Sequence, residues 1–112
     1  MPSDKERKQN PTILPSESQL NISEIPQVIR SWLVGELSDI LQEMYDGQSY
    51  FVALQRIDVI MTRIKDDNRI SKKSQEELLK RLNIASQLIH NNNTLTRASG
   101  YAVLQRIASE LR

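Results

Sequence analysis

The sequence predicts an all-α protein, a four-helix antiparallel bundle made of two helical hairpins behind a disordered N-terminal tail. Apolar residues recur every three to four positions in four successive stretches between Ile25 and Leu111, the period of a helix with one buried face. The stretches are separated by polar, helix-stopping segments at Asp46-Gly47, Asp66 to Arg69 and Asn91 to Asn93, and short connections of this kind favour antiparallel neighbours. Ahead of them, Met1 to Leu20 is rich in Lys, Glu, Ser, Gln and Pro, with Ile13, Leu14 and Leu20 the only sizeable apolar residues after Met1. Such a segment buries too little apolar surface to offset its ordering entropy. The expected division is therefore a tail over 1–21 and one bundle domain over 22–112, long enough for a single modest core.

The first helix is expected to begin near Ser23. Ser23 is the N-cap candidate, Glu24 suits the positive helix end, and Pro26 is tolerated in a first turn. Its stripe runs Ile25, Val28, Ile29, Trp32, Leu33, Leu37, Ile40, Leu41 and Met44. Gly47 stops it, because glycine adopts a left-handed cap without a Cβ penalty. The second helix is capped by Ser49 and runs to about Lys65, with Tyr50, Ala53, Leu54, Ile57, Ile60, Met61 and Ile64 facing inward. Val52 and Val59 lie to one side of that face, and Ile70 is expected to tuck in after the polar linker. The third helix opens on a capping box of Ser74 with Glu77. Its stripe of Leu78, Leu82, Ala85 and Ile89 is flanked by Leu79 and Leu88, and the three asparagines end it through a left-handed residue. Thr94 or Thr96 caps the fourth helix, which carries Ala98, Tyr101, Ala102, Leu104, Ile107, Ala108 and Leu111, with Gly100 loosening its start. Tyr50 to Ile57 echoes Tyr101 to Ile107, as two stacked hairpin repeats would.

The residues that chemistry needs are nearly missing. There is one His and no Cys, and neither a paired-acid motif nor a Gly-rich loop is present, so the chain is expected to be no enzyme and to take no cofactor, metal or small-molecule substrate. His90 sits at the end of the third helix, where a cation suits the negative end of the helix dipole, among asparagines that ligate metals poorly. Asp66-Asp67-Asn68 lacks the glycine and closing Glu of a calcium loop. Glu36, Asp39, Glu43 and Asp46 form an acidic ridge on the first helix, suited to solvent or a basic partner. Tyr45, Tyr50 and Phe51 cluster around the turn after the first helix and are expected to close the bundle end, an exposed aromatic patch being the alternative. No stretch approaches the roughly 18 consecutive apolar residues of a membrane span, and the charged N-terminus does not suit a signal peptide. Those features predict a soluble cytoplasmic or nuclear protein.

Net charge is +1 overall, but residues 1–62 carry five Lys/Arg against nine Asp/Glu and residues 63–112 carry ten against five. A chain polarised in this way suits docking to an acidic partner, or to a copy of itself head to tail.

The segment from Ser74 through Gln75-Glu76-Glu77-Leu78 to Ile89 resembles the helix-turn-helix of phage-repressor-type DNA-binding domains. That resemblance implies a second, recognition helix in the major groove. Ser86, Gln87 and His90 would then face bases, with Asn91 and Arg97 near phosphate and Lys80 and Arg81 adding positive charge. The sequence departs from the motif at Leu79, where a small residue is expected, at Asn83 in the glycine position, and at Asn92 in an apolar one. A single continuous helix accounts for Leu78, Leu82, Ala85, Leu88 and Ile89 without those departures.

The function expected is a non-catalytic protein–protein interaction module or small regulatory protein, working through a helical surface on another protein or as a homodimer. Trp32, Val52, Val59, Leu79 and Leu88 are the candidate contact residues, since four helices in so short a chain tend to leave an apolar strip uncovered. A DNA-binding regulator using residues 74–91 is the alternative, and a small helical immunity or inhibitor protein is a variant of the main reading.

Overall fold

The computed structural model describes residues 20–47 and 49–112; the tail expected over 1–21 lies outside the described residues except at its last two positions. Among the described residues the chain forms a short 3-10 turn, Ile22–Glu24, and four α-helices: α1 (Gln27–Tyr45), α2 (Tyr50–Lys65), α3 (Lys72–Ile89) and α4 (Thr94–Leu111). Each helix packs on its sequence neighbours, and α4 returns to α1, with α3–α4 the most extensive pairing. Cross-links fix the directions. Arg63 near the end of α2 lies over Trp32 near the start of α1, while Glu24 ahead of α1 reaches Ser71 and Ser74 at the start of α3. Consecutive helices are thus antiparallel, as the sequence predicts.

The core is the set of inward stripes. Ile29, Leu33, Leu37 and Ile40 of α1 meet Ala53, Ile57, Ile60 and Ile64 of α2, Leu78, Leu82, Ala85 and Ile89 of α3, and Tyr101, Leu104, Ile107, Ala108 and Leu111 of α4. Ile25 and Ile70 seal the ends of the connections as buried residues. Spacings of three and four residues bring each set onto one side of its helix, so the stripes alone specify the four inward faces.

Several helix ends differ from expectation. Ser23 does not cap α1; the backbone makes the 3-10 turn and α1 follows Pro26, which occupies the N-cap position without a side-chain bond. Proline suits that place because its missing N–H would have had no helical partner. In α3 the cap is Ser71, whose Oγ accepts from the Ser74 amide at 3.2 Å, one turn ahead of the expected capping box. Ser74 is instead buried and donates its hydroxyl to Glu24 at 3.3 Å, beside the 2.7 Å bond from Ser71. The Glu24 carboxylate therefore complements the N-terminal dipole of α3 rather than that of α1. Asn93, not Thr94 or Thr96, caps α4, its Oδ1 accepting from the amides of Leu95 and Thr96 at 2.9 and 3.1 Å. Ser49 caps α2 as predicted. Gly47 has φ +83°, whereas none of the described non-glycine residues, Asn91 to Asn93 included, has a positive φ.

Two side chains close the reverse turns. Gln75 Nε2 donates to the carbonyls of Ile64 at 2.9 Å and Asp67 at 2.8 Å. Arg97 donates from Nε to the Ile89 carbonyl at 3.1 Å, and from its other guanidinium nitrogen to that of Asn91 at 2.8 Å. Each of these turns has a late helical carbonyl, Ile64 or Ile89, satisfied by a residue from the following helix, and after α3 this bond from Arg97 stands where the asparagines were expected to supply a left-handed C-cap.

Gly100 is a second correction. It is buried, and a Cβ there would lie 2.6 Å from Ile89 Cγ1 and 2.8 Å from the Ala85 carbonyl oxygen. Gly100 lets α4 approach α3 closely instead of loosening the start of the helix. The sequence echo is matched in part: Ile57 and Ile107 are both buried and Gln55 and Gln105 both exposed, whereas Tyr50 opens α2 half-buried and Tyr101 lies buried in the interior of α4. Leu20, expected in the tail, is 6 % exposed and donates its amide to Glu110 Oε1 at 3.1 Å. The folded part therefore begins no later than Leu20.

Candidate interaction surface

The polar groups of the bundle are largely answered from within. Arg56 on α2 meets three members of the acidic ridge on α1, at 3.3 Å from Glu36, 3.6 Å from Asp39 and 2.7 Å from Glu43. The ridge thus spends much of its charge on an internal cation, while Asp46 at its end pairs with no cation among the described residues. On α3, Arg81 is buried; its Nε donates to Glu77 and its Nη1 to Glu110, both at 2.9 Å. Glu110 also takes Arg106 at 3.2 Å and the Leu20 amide. Burial pushes the Glu110 carboxyl up, but the Leu20 amide, the Arg81 charge and the bonds from Arg106 and Arg81 outweigh it and hold the group below its usual range.

Glu43 Oε1 is buried without a hydrogen-bond partner, but most of what stays unanswered is apolar and gathers mainly at the two ends. At the end formed by the α1–α2 turn and the start of α4, Tyr45 is 80 % exposed, Phe51 57 % and Leu95 79 %. Tyr50 stacks on Phe51 with centroids 4.5 Å apart, and the Arg97 guanidinium sits 4.0 Å over the Tyr50 ring. Only Tyr50 helps close this end; Tyr45 and Phe51, expected to do the same, project outward. Phe51 does so because it is offset from the inward positions Ala53 and Ile57 of its helix, and Tyr45 because α1 ends there with no neighbour beyond it.

At the opposite end, the start of α1 and the end of α2 bound a cleft of about 230 Å³ lined by Val28, Trp32, Arg63, Asp67, Arg69 and Ile70 among others. Trp32 packs its inner edge on the core and keeps its outer part exposed, so it is a cleft wall as well as an anchor. Arg63 lies 4.9 Å over the Trp32 ring, an attraction between cation and ring face. Arg63 makes no ion pair with a described carboxylate, although its charge helps to hold Asp67 low, whereas Arg69 is bound to Asp67 at 2.7 Å. The bond from Arg69, acting against burial, keeps the Asp67 carboxyl below its usual range. Val28, expected on the inward stripe, is exposed at the cleft mouth.

The sequence candidates scatter around this picture. Val59 is exposed on α2, and Val52 is half-buried two turns earlier on the same face. Leu79 packs against the core, and Leu88 is half-buried on the same helix, α3. Residues 74–91 form no helix-turn-helix, because α3 is continuous through Asn83 as far as Ile89. Of the residues the DNA-binding alternative required, Arg81 is buried in ion pairs and Arg97 is engaged in closing the α3–α4 turn. Lys80, Gln87 and His90 are exposed, and Ser86 is half-buried.

Sequence reasoning missed Val28 and Leu95 as surface residues and ranked the exposure of Phe51 second. For Leu95 a signal existed: counting back from Tyr101 and Leu104 in helical steps passes Arg97 and Thr94 but not Leu95. Val28 gave none, since it has the spacing of a core position.

Among the described residues no group of three or more His, Asp or Glu has metal-binding geometry, and no helix is long and apolar enough to cross a membrane. The chain matches no family model, no curated protein and no solved structure.

Proposed function

We propose that the chain is a non-catalytic protein–protein interaction module, a small regulatory protein that acts through the apolar side chains its own fold leaves uncovered. The observation that carries the reading is the pairing of an internally satisfied bundle with outward Tyr45, Phe51, Val59 and Leu95. Tyr45, Phe51 and Leu95 share one end of the bundle, and exposed aromatic and aliphatic side chains gathered in this way are a common basis for recognition between proteins. The absence of chemical motifs from the sequence points the same way. The continuity of α3 and the internal pairing of Arg81 speak against the major-groove alternative.

A photo-crosslinking residue at Phe51 or Val59, introduced in the cell that makes the protein, tests the proposal. A discrete protein adduct at these positions, and not at exposed, polar-faced Gln105, is expected. No adduct at either site would overturn the reading. So would duplex-DNA affinity that falls steeply with salt and is lost on Lys80→Glu.

A further inference from the structure

We propose that the partner is a second copy of this chain, with the Tyr45-Asp46 tip of one bundle seated in the Trp32–Arg63 cleft at the opposite end of the next. The inference rests on the interaction-module reading and names its partner.

The cleft defines what it accepts. Val28, Trp32 and Ile70 offer an apolar wall, and Arg63 presents guanidinium donors at its edge that no described carboxylate takes up. A planar apolar side chain next to a carboxylate satisfies both, the ring against Trp32 and Val28 and the carboxylate on Arg63. The other end of the bundle carries that combination. Tyr45 is the last residue of α1 and 80 % exposed, and Asp46 follows it at the exposed Gly47 turn. Among the described residues the Asp46 carboxylate accepts a 3.3 Å bond from Gln42 Nε2 and pairs with no cation.

Charge favours the same orientation. Glu36, Asp39, Glu43 and Asp46 share the tip half of α1, with Arg56 set among the first three. Arg63, Lys65, Arg69, Lys72 and Lys73 stand at the cleft end and outnumber Glu24, Asp66 and Asp67 there. Two copies placed head to tail bring unlike ends together, whereas tip-to-tip or cleft-to-cleft pairs bring like ends together. Because the joined surfaces differ, every copy keeps one free end and the association continues into chains. The contact is small, so its affinity is low and its salt dependence marked.

The test is light scattering or sedimentation of the full chain from about 10 μM to about 1 mM, at low and high salt, a range suited to weak contacts. Mass is expected to climb with concentration past that of two chains, and to fall in high salt. Tyr45→Ser with Asp46→Lys removes the tip; Val28→Glu blocks the cleft mouth at an exposed position, and Arg63→Glu reverses its charge. Each is expected to weaken association at least tenfold with the helical CD spectrum unchanged. Mixing a tip variant with a cleft variant pairs one intact tip with one intact cleft, so the mixture forms dimers and nothing larger. A wild-type mass of one chain throughout would overturn the inference, as would variants that associate like wild type or a mixture that stays monomeric. A purified monomer that nonetheless crosslinks to a different protein would sink this inference alone and leave the module reading standing.

Discussion

Replacing Glu110 with Gln tests whether the strongest polar feature of the bundle holds it together. The substitution keeps the side chain's shape and removes its charge. It leaves Arg81, whose side chain is 8 % exposed, facing an amide where a carboxylate lay at 2.9 Å. Breaking a buried ion pair by removing one partner costs about 3–5 kcal/mol, since the remaining charge is left uncompensated. Here Glu77 still holds Arg81 Nε at 2.9 Å, which sets the expectation at the lower end, about 3 kcal/mol. That is a large share of the roughly 5–15 kcal/mol of a typical domain. It corresponds to a fall in Tm of about 12–24 °C for a domain this small. Thermal and urea unfolding followed by far-UV circular dichroism read it directly. The folded pKa of Glu110 is depressed, so its contribution is complete above the ordinary carboxylate range and is lost as pH falls through the folded value. The gap between wild type and Glu110→Gln should therefore narrow in acid. A double variant, Arg81→Met with Glu110→Leu, should recover most of the loss by replacing the pair with apolar packing. A cost under about 1 kcal/mol at neutral pH, or a gap unchanged into acid, would refute the reasoning.

Two glycines should respond in opposite directions to the same change. Gly100→Ala forces a Cβ against Ile89 and the Ala85 carbonyl and should cost about 1–2 kcal/mol after the helix preference for alanine is counted. Gly35→Ala meets nothing within 4 Å and should raise the Tm, by up to about 1 kcal/mol of stability. Leu20→Ala should cost about 2 kcal/mol in urea unfolding, since this side chain is buried at the bundle end; no change would mean Leu20 does not pack. Asn93→Ala should cost about 1 kcal/mol through loss of the α4 cap, and Thr94→Ala much less, a comparison that thermal unfolding settles.

The inward faces were legible because they depend on a local property, the spacing of apolar residues along one helix. Leu78, Leu82, Ala85 and Ile89 could be read without knowing what they pack against. The caps were less so: Ser71 and Ser74 offer competing N-caps one turn apart, and both hydroxyls meet Glu24, 47 positions away from Ser71. The role of Gly100 was hidden for the same reason, since only its distance to α3 distinguishes a helix weakness from a close approach. Arg81 gave no sign of burial, because its partner Glu110 lies 29 positions away on another helix. The candidate surface was read partially. Val59 lies outside its helix stripe and is exposed, while Tyr45 and Phe51 sit at helix termini, where periodicity cannot tell an end cap from an outward-facing ring.

The bond from the Leu20 amide to Glu110 joins positions 90 apart in sequence, which makes the four helices a closed ring in which the start of the chain is only a formal choice. A circular permutant with a short Gly/Ser linker from Arg112 to Leu20, and new termini at the Gly47 turn, would retain all the neighbouring helix pairs. Its fold should survive the reordering, because the stability belongs to the ring of contacts and not to the point at which the chain begins. The same cut would open the turn that holds Tyr45 and Asp46, so one rearrangement separates what keeps the bundle folded from what it presents to others.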